Sequence, residues 1–381
     1  MVRRHFWLEK IEEAWSHRSV LWLAGVRRSG KTTLCQTLSS AEVFDCELPR
    51  TRRLMEDPEA FLKSFKNKRI VLDEIHRLDN PSELLKIAAD YFPDTKIVAT
   101  GSSSLAASTH FKDKLTGRKS TIWLTPLMSS DLNDFGETSL KHRFLKGGLP
   151  PFFLNKKSQE KDFQEWIDAF WAKDIQDLFR LERRHSFMKF AELLMVNSGG
   201  LFEASKFAGP CEVSRVTISN YLRVLEETFV VHVVRPFHTR RSVEILSAPK
   251  VYSFDTGFTC FFKGWQTLRP DDMGFLWEHF VLNEIMAQMQ TRDIRYWRDK
   301  MGHEIDFIWA PRGKPPFTVE CKWSSRNFDG RNIRVFRRHY PQGKDLVVAH
   351  DIDRPYIKRM GNREIQFTSL SHLPEILRNH Q

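Results

Sequence analysis

The 381 residues carry 59 Lys and Arg against 48 Asp and Glu, a formal charge of +11, with 41% hydrophobic and 12% aromatic residues. This is ample material for packed cores in roughly two to four domains, and a basic chain tends to meet polyanions, nucleic acid most often. No apolar run approaches a membrane span, the early charged helix pattern is not a secretory signal, and five scattered cysteines without a CxxC pair exclude a disulfide framework or zinc ribbon and fit a reducing cytoplasm.

The N-terminal residues read as an amphipathic helix, followed by the apolar run Val20–Ala24. Directly after it stands Gly25-Val26-Arg27-Arg28-Ser29-Gly30-Lys31-Thr32-Thr33, the spacing G-x-x-x-x-G-K-[ST] between a buried strand and a helix pattern. Two glycines let successive N–H groups wrap a phosphate, and the helix N-terminus behind them adds its dipole. Lys31 would reach the β- and γ-phosphates of a nucleoside triphosphate such as ATP, and Thr32 would ligand Mg2+. Residues 25 and 27–33 are thus the expected phosphate cradle.

A second apolar run, Arg69–Leu72, closes on Asp73 and Glu74. After a P-loop this pair predicts hydrolysis: Asp73 to hold Mg2+, usually through water, and Glu74 to polarise the attacking water. The strand pattern Lys96–Thr100 leads to Gly101-Ser102, where a hydroxyl either senses the γ-phosphate or belongs to a serine-rich turn. Beyond Gly117, Arg118 either answers phosphate charge, in its own subunit or a neighbour, or is simply solvated.

Gly25–Thr33 with its paired arginines, Leu72-Asp73-Glu74, Thr100-Gly101-Ser102, Gly117-Arg118 with Pro126-Leu127, and Gly147-Gly148-Leu149-Pro150 together resemble the archaeal-type ATPases of the AAA+ superfamily. The resemblance implies an extra strand within 40–65 and a homo-oligomer in which a neighbour's arginine completes each site. Asp131 stands where such proteins more often have glutamate, a departure expected to matter little.

Residues 155–185 read as helices of a lid or connector. Then Phe187–Val196, Glu203–Ala208 and Val213–Leu225 read as three short helices, the last with Val216, Tyr221, Leu222 and Leu225 apolar. With strand patterns at Phe229–Val234 and Val243–Leu246, this is the pattern of a winged helix-turn-helix. It places Arg215, Thr217, Asn220 and Arg223 toward a DNA groove and Arg235, Arg240 and Arg241 toward phosphates. Such modules also bind proteins or pack on a motor.

In the last third, Glu278 lies in an otherwise apolar helix pattern, Met273–Ile285. The strand patterns Ile294–Arg298, His303–Trp309 and Phe317–Trp323 follow. Residues two apart on a strand share a face, so Glu320 pairs with Lys322 and Glu304 with Asp306. Glu278, Asp306 and Glu320 could bind one or two divalent metals, with Lys322 orienting the attacking water. The set resembles the PD-(D/E)xK nuclease fold. More narrowly, Leu276–His279, Tyr296–Asp299, His303–Phe307, Val319–Trp323, Lys250–Tyr252 and Asp255–Gly257 resemble the DUF4143 domain that accompanies this ATPase type.

The expected architecture is therefore α/β and multidomain: an AAA+ ATPase core with a parallel sheet at 1–135, a helical lid or connector at 136–185, a winged helix-turn-helix at 186–250, and a restriction-endonuclease-like α/β domain at 251–381. The expected function is ATP-driven DNA processing with Mg-dependent cleavage. The alternatives are an ATP-switched DNA-binding or scaffold protein whose terminal domain cuts nothing, and a signalling ATPase acting on proteins.

Overall fold

A computed structural model of the chain describes residues 1–101, 115–155, 160–176, 179, 181, 183–239 and 247–379. They form two units: Met1–Thr138 with Leu149–Glu182 and Glu227–Phe229, and Ser139–Gly148 with Arg183–Glu226 and Val230–Gln381. The segment 136–185, expected to be one connector, is thus divided between them.

The first unit is built on β1 (Val20–Ala24), β2 (Ala41–Asp45), β3 (Arg69–Asp73), β4 (Lys96–Thr100) and β5 (Lys119–Trp123). They form one sheet in the order β2-β3-β4-β1-β5, every neighbouring pair parallel. Parallel strands are buried on both faces and read as unbroken apolar runs, and β1 is buried at all its positions. The strand expected within 40–65 is β2. Helix His5–His17 turns Trp7, Ile11 and Trp15, four residues apart, toward the interior. The order sets β4 between β1 and β3, so Gly25 and the Asp73-Glu74 pair emerge at the same edge of the sheet. Open parallel sheets bind their ligands at that carboxyl edge.

The second unit holds a nine-stranded sheet of β6 (Gly200–Leu201), β7 (Val231–Pro236), β8 (Lys250–Ser253), β9 (Ile294–Arg298), β10 (Glu304–Trp309), β11 (Phe317–Lys322), β12 (Asp345–Ala349), β13 (Tyr356–Met360) and β14 (Arg363–Thr368). Its order is β13-β14-β12-β11-β10-β9-β7-β8-β6. Helices Arg184–Val196, Ala204–Ala208 and Arg215–Glu227 precede β7, which turns back antiparallel onto β8. β7 also runs parallel to β9 through Arg235↔Arg295 and Pro236↔Tyr296. The sheet therefore passes unbroken across residue 250, where the sequence suggests a boundary. The strand pattern at Val243–Leu246 falls outside the described residues.

Helix Pro270–Met289 leads into the antiparallel run β9-β10-β11. Helix Arg331–His339 then carries the chain to β12, which lies parallel to β11. In β10, register against β9 shifts by one residue between Ile305 and Ile308. A bulge of this kind bends the strand locally, and this one falls at Asp306 and Phe307.

Candidate nucleotide cleft and C-terminal charged cluster

The turn after β1 is shaped by its glycines. A Cβ on Gly25 would stand 2.5 Å from the Leu124 carbonyl oxygen, so only hydrogen fits. Gly30 adopts φ +94° at the start of helix Lys31–Gln36, a conformation that favours glycine. Gly25, Arg27, Arg28, Gly30, Lys31, Thr32 and Thr33 line a cavity of about 680 Å³ shared with Glu74. Ser29 is buried beneath it, its Oγ without a hydrogen-bond partner. Lys31 Nζ donates to the carbonyls of Gly25 (2.9 Å) and Val26 (3.2 Å), and burial lowers its pKa.

At the end of β3, Asp73 is buried and accepts a short hydrogen bond from the Thr100 hydroxyl, which itself accepts from the Glu74 amide at 3.2 Å. Thr100 is thus committed to the acid strand. Ser102, the expected sensor, lies outside the described residues. Glu74 has φ +51°, a left-handed conformation rare for a non-glycine residue, which turns it away from the strand direction. His76 Nδ1 is 3.2 Å from its carboxylate and, by hydrogen bonding, keeps the Glu74 pKa low. Glu74 is therefore a carboxylate facing the cavity. Of the alternatives for Arg118, the side chain is 37% exposed, pairs with Asp90 at 2.7 Å and is absent from the cavity lining.

The sequence reading missed the support of this loop. Arg4 reaches the Ser29 carbonyl through Nη1 at 3.1 Å and clasps Asp131 through Nε (2.8 Å) and Nη2 (2.7 Å). Asp131 also accepts from Trp7 Nε1 (3.3 Å) and the Met128 amide (3.0 Å) and is fully buried. It is an anchor rather than a minor substitution, and Glu would need room for one more methylene. Asp174 and Lys173 also line the cavity, from a segment whose sequence shows only helix-forming aromatics and charge.

In the second unit, Asp306 and Glu320 are the residues next to the Phe307↔Val319 pair on adjacent antiparallel strands. Lys322 Nζ lies 2.8 Å from Glu320 and 3.6 Å from Asp306, whose Oδ2 accepts from the Cys321 amide at 2.7 Å. Glu278, from helix Pro270–Met289, accepts from Tyr252 Oη at 2.6 Å. Lys250 lies 3.8 Å from Glu278 and makes a short contact with Glu304. Burial and the Asp306 charge push both Glu278 and Glu320 well above the usual carboxylate range. Burial works against the Lys322 charge, but Asp306 and Glu320 outweigh it and hold the lysine charged.

The expected residues Glu278, Asp306, Glu320 and Lys322 thus meet, joined by Lys250 and Tyr252. Each acid is answered by a protein group, and among the described residues no three His, Cys, Asp or Glu side chains stand close enough to hold a metal. The donor chemistry nonetheless suits a hard divalent cation: oxygens only, with Glu320 Oε1 shut off from solvent and without a hydrogen bond.

Of the expected DNA-facing residues, Arg215, Asn220, Arg223 and Arg235 are exposed. Thr217 is half-buried, its hydroxyl 2.9 Å from that of Ser214, whose Oγ caps the helix by accepting from the Thr217 amide at 3.1 Å. Val216, expected inside, is 71% exposed, while Ile218, Tyr221, Leu222, Val224 and Leu225 form the buried face. Standing two residues before the buried Ile218, position 216 falls on the opposite, outer side of the helix. Arg240 and Arg241 lie outside the described residues.

Residues 17–133 match an AAA domain family, 137–269 a domain of unknown function (DUF8612), and 273–373 another (DUF4143). Two uncharacterized proteins, from Mycobacterium tuberculosis and Mycobacterium bovis, are each 26% identical over 346 residues, covering 88% of this chain and 77% of theirs. A solved signal-transduction ATPase with a tetratricopeptide-repeat sensor, from Pyrococcus horikoshii, aligns at TM-score 0.28 and 10% identity. That alignment covers 74% of this chain and 46% of that one, so this chain spans under half of its length. Residues 17–133 are thus similar to AAA domains, and residues 273–373 to the DUF4143 family.

Proposed function

We propose that this is an ATP-hydrolysing, DNA-processing protein of the reducing cytoplasm, whose C-terminal cluster cleaves phosphodiester bonds. The observation that supports the cleavage is Lys322, within 3.6 Å of Asp306 and 2.8 Å of Glu320 on adjacent strands. The intracellular reading is supported by five free, buried cysteines.

In the nucleotide cleft, the amides of residues 25–33 and the Lys31 ammonium bind and orient the phosphates, Thr32 and Asp73 would hold Mg2+, and Glu74 takes a proton from water. Asp306 and Glu320, with Glu278 in support, would hold a second site of Mg2+. Bound there, the ion would supply Lewis-acid charge and lower the pKa of water. Lys322 would orient the attacking water and stabilise charge developing on the phosphoryl oxygens. Duplex or single-stranded DNA reaches this site held by Arg215, Thr217, Asn220, Arg223 and Arg235, with Arg240 and Arg241 extending the basic segment. Arg118, on the surface of the first unit, is the candidate to complete a neighbour's cleft in a homo-oligomer.

The test is cleavage of linear, nicked, single-stranded and branched DNA with Mg2+. Activity in the wild type that disappears in Lys322→Ala and Glu320→Gln supports the assignment. No cleavage of any substrate, with DNA-stimulated ATP hydrolysis intact, would sink it. That result would favour a second reading, an ATP-switched DNA-binding or scaffold protein. The observation in its favour is that Lys250, Tyr252 and Lys322 already engage the acids.

A further inference from the structure

Helix Glu160–Phe170 runs into a π-helical turn, Trp171–Gln176, of a kind that recurs at functional sites. The turn delivers Asp174, 8% exposed, to the wall of the nucleotide cavity. There Asp174 Oδ2 stands 3.6 Å from Arg27 Nη1, an ion pair too long for a hydrogen bond. Neither Asp174 Oδ2 nor Arg27 Nε has a hydrogen-bond partner, although both are shut off from solvent. The same segment also holds the Arg27 backbone: Trp166 Nε1 donates to its carbonyl at 3.2 Å, and the Trp166 ring stacks on Phe170.

The Arg27 side chain is 26% exposed while Asp174 is buried, so the carboxylate loses hydration that a contact this loose returns only in part. Burial raises the Asp174 pKa, with Arg27 and then Lys31 opposing it. What Arg27 lacks is an anion with several acceptor oxygens. The cavity that would admit one also holds Lys31 and Glu74, which address the β- and γ-phosphate end of a nucleotide rather than its base. A phosphate arriving there meets Asp174 as a like charge.

We propose that Asp174 competes with the terminal phosphate of a bound nucleoside triphosphate for Arg27, and thereby sets the preference of the cleft between triphosphate and diphosphate. This rests on the reading of residues 25–33 as a nucleotide site. Asp174 is a positioning residue in this scheme: it acts through Arg27, and a triphosphate that takes Arg27 also loosens the grip of residues 160–176 on the P-loop side chain.

Equilibrium titration of the full chain with fluorescent ATP and ADP analogues tests this in wild type, Asp174→Asn, Arg27→Ala and the double variant. Asp174→Asn should raise the ATP-over-ADP affinity ratio about tenfold, within the usual range for coupled sites. The effect should vanish in the Arg27→Ala background, as expected for two residues that act on one another. Asp174→Ser, checked with Asp174→Asn for native thermal unfolding, should shift the ratio in the same direction. An unchanged ratio in both variants, or the same shift without Arg27, would overturn the proposal while leaving the nucleotide site standing. Failure of the wild type to bind either nucleotide, with Lys31→Ala indistinguishable from it, would remove the site and the proposal together.

Discussion

Lys31 donates to the carbonyls of Gly25 and Val26, and in the proposed nucleotide site it would exchange them for phosphate oxygens. Lys31→Ala is expected to reduce ATP turnover at least about 100-fold, comparable to losing one preorganised donor, measured by steady-state phosphate release. Asp131 makes a different demand. Replacing it with Ala leaves Arg4 buried without its counter-ion, which should cost about 3–5 kcal/mol in chemical denaturation. It should also weaken nucleotide binding, because Arg4 fixes the Ser29 carbonyl. A loss below about 1 kcal/mol would show that the pair is dispensable.

His232 illustrates pH at the same scale. Both ring nitrogens are shielded and without hydrogen bonds, and burial pushes the pKa down to about 3. A histidine whose pKa is lowered on folding binds fewer protons in the native state, so stability falls as pH drops from the unfolded value near 6.5 toward 3. His232→Leu gives up no hydrogen bond and should raise the melting temperature at pH 5 more than at pH 8. Equal shifts at the two pH values would contradict this.

Among the elements, the parallel strands were the most legible from sequence. β1, β3 and β4 are short apolar runs that close on chemistry-bearing residues, and residue type and position coincide there. The Asp306–Glu320 juxtaposition was legible in outline, because period-two alternation sets faces, but the bulge in β10 leaves no local signature. The roles of Arg4, Asp131, Lys250 and Tyr252 were hidden for a common reason: each acts through a partner far away in sequence, 127 residues away for Arg4 and Asp131. Asp174 was hidden because a π turn looks like ordinary helix in sequence.

The helix Arg215–Glu227 allows a sharper forecast than its pattern did, since its buried face is now fixed. Arg215→Ala and Arg223→Ala should weaken DNA binding without sequence preference, each lowering the slope of log affinity against log salt by about one. Val216→Ala, on the exposed side, should leave stability within about 0.5 kcal/mol of wild type. Unchanged salt slopes for both arginines would move DNA to another surface or exclude it.

For the whole molecule, the two units carry two candidate sites, one proposed for a triphosphate and one where half-buried acids surround the buried Glu320. The formal charge of +11 suits a polyanion that could engage the second while the first turns over. A link between the sites is a statement about coupled free energies, so it must show in both directions of measurement. The most direct measurement is ATP hydrolysis with and without DNA, in the same reactions in which cleavage is followed, for wild type and Lys31→Ala. DNA should raise ATP turnover in the wild type, and Lys31→Ala should lose both hydrolysis and cleavage. ATP turnover indifferent to every DNA form would contradict the DNA-processing assignment and point to an ATPase that answers to protein partners.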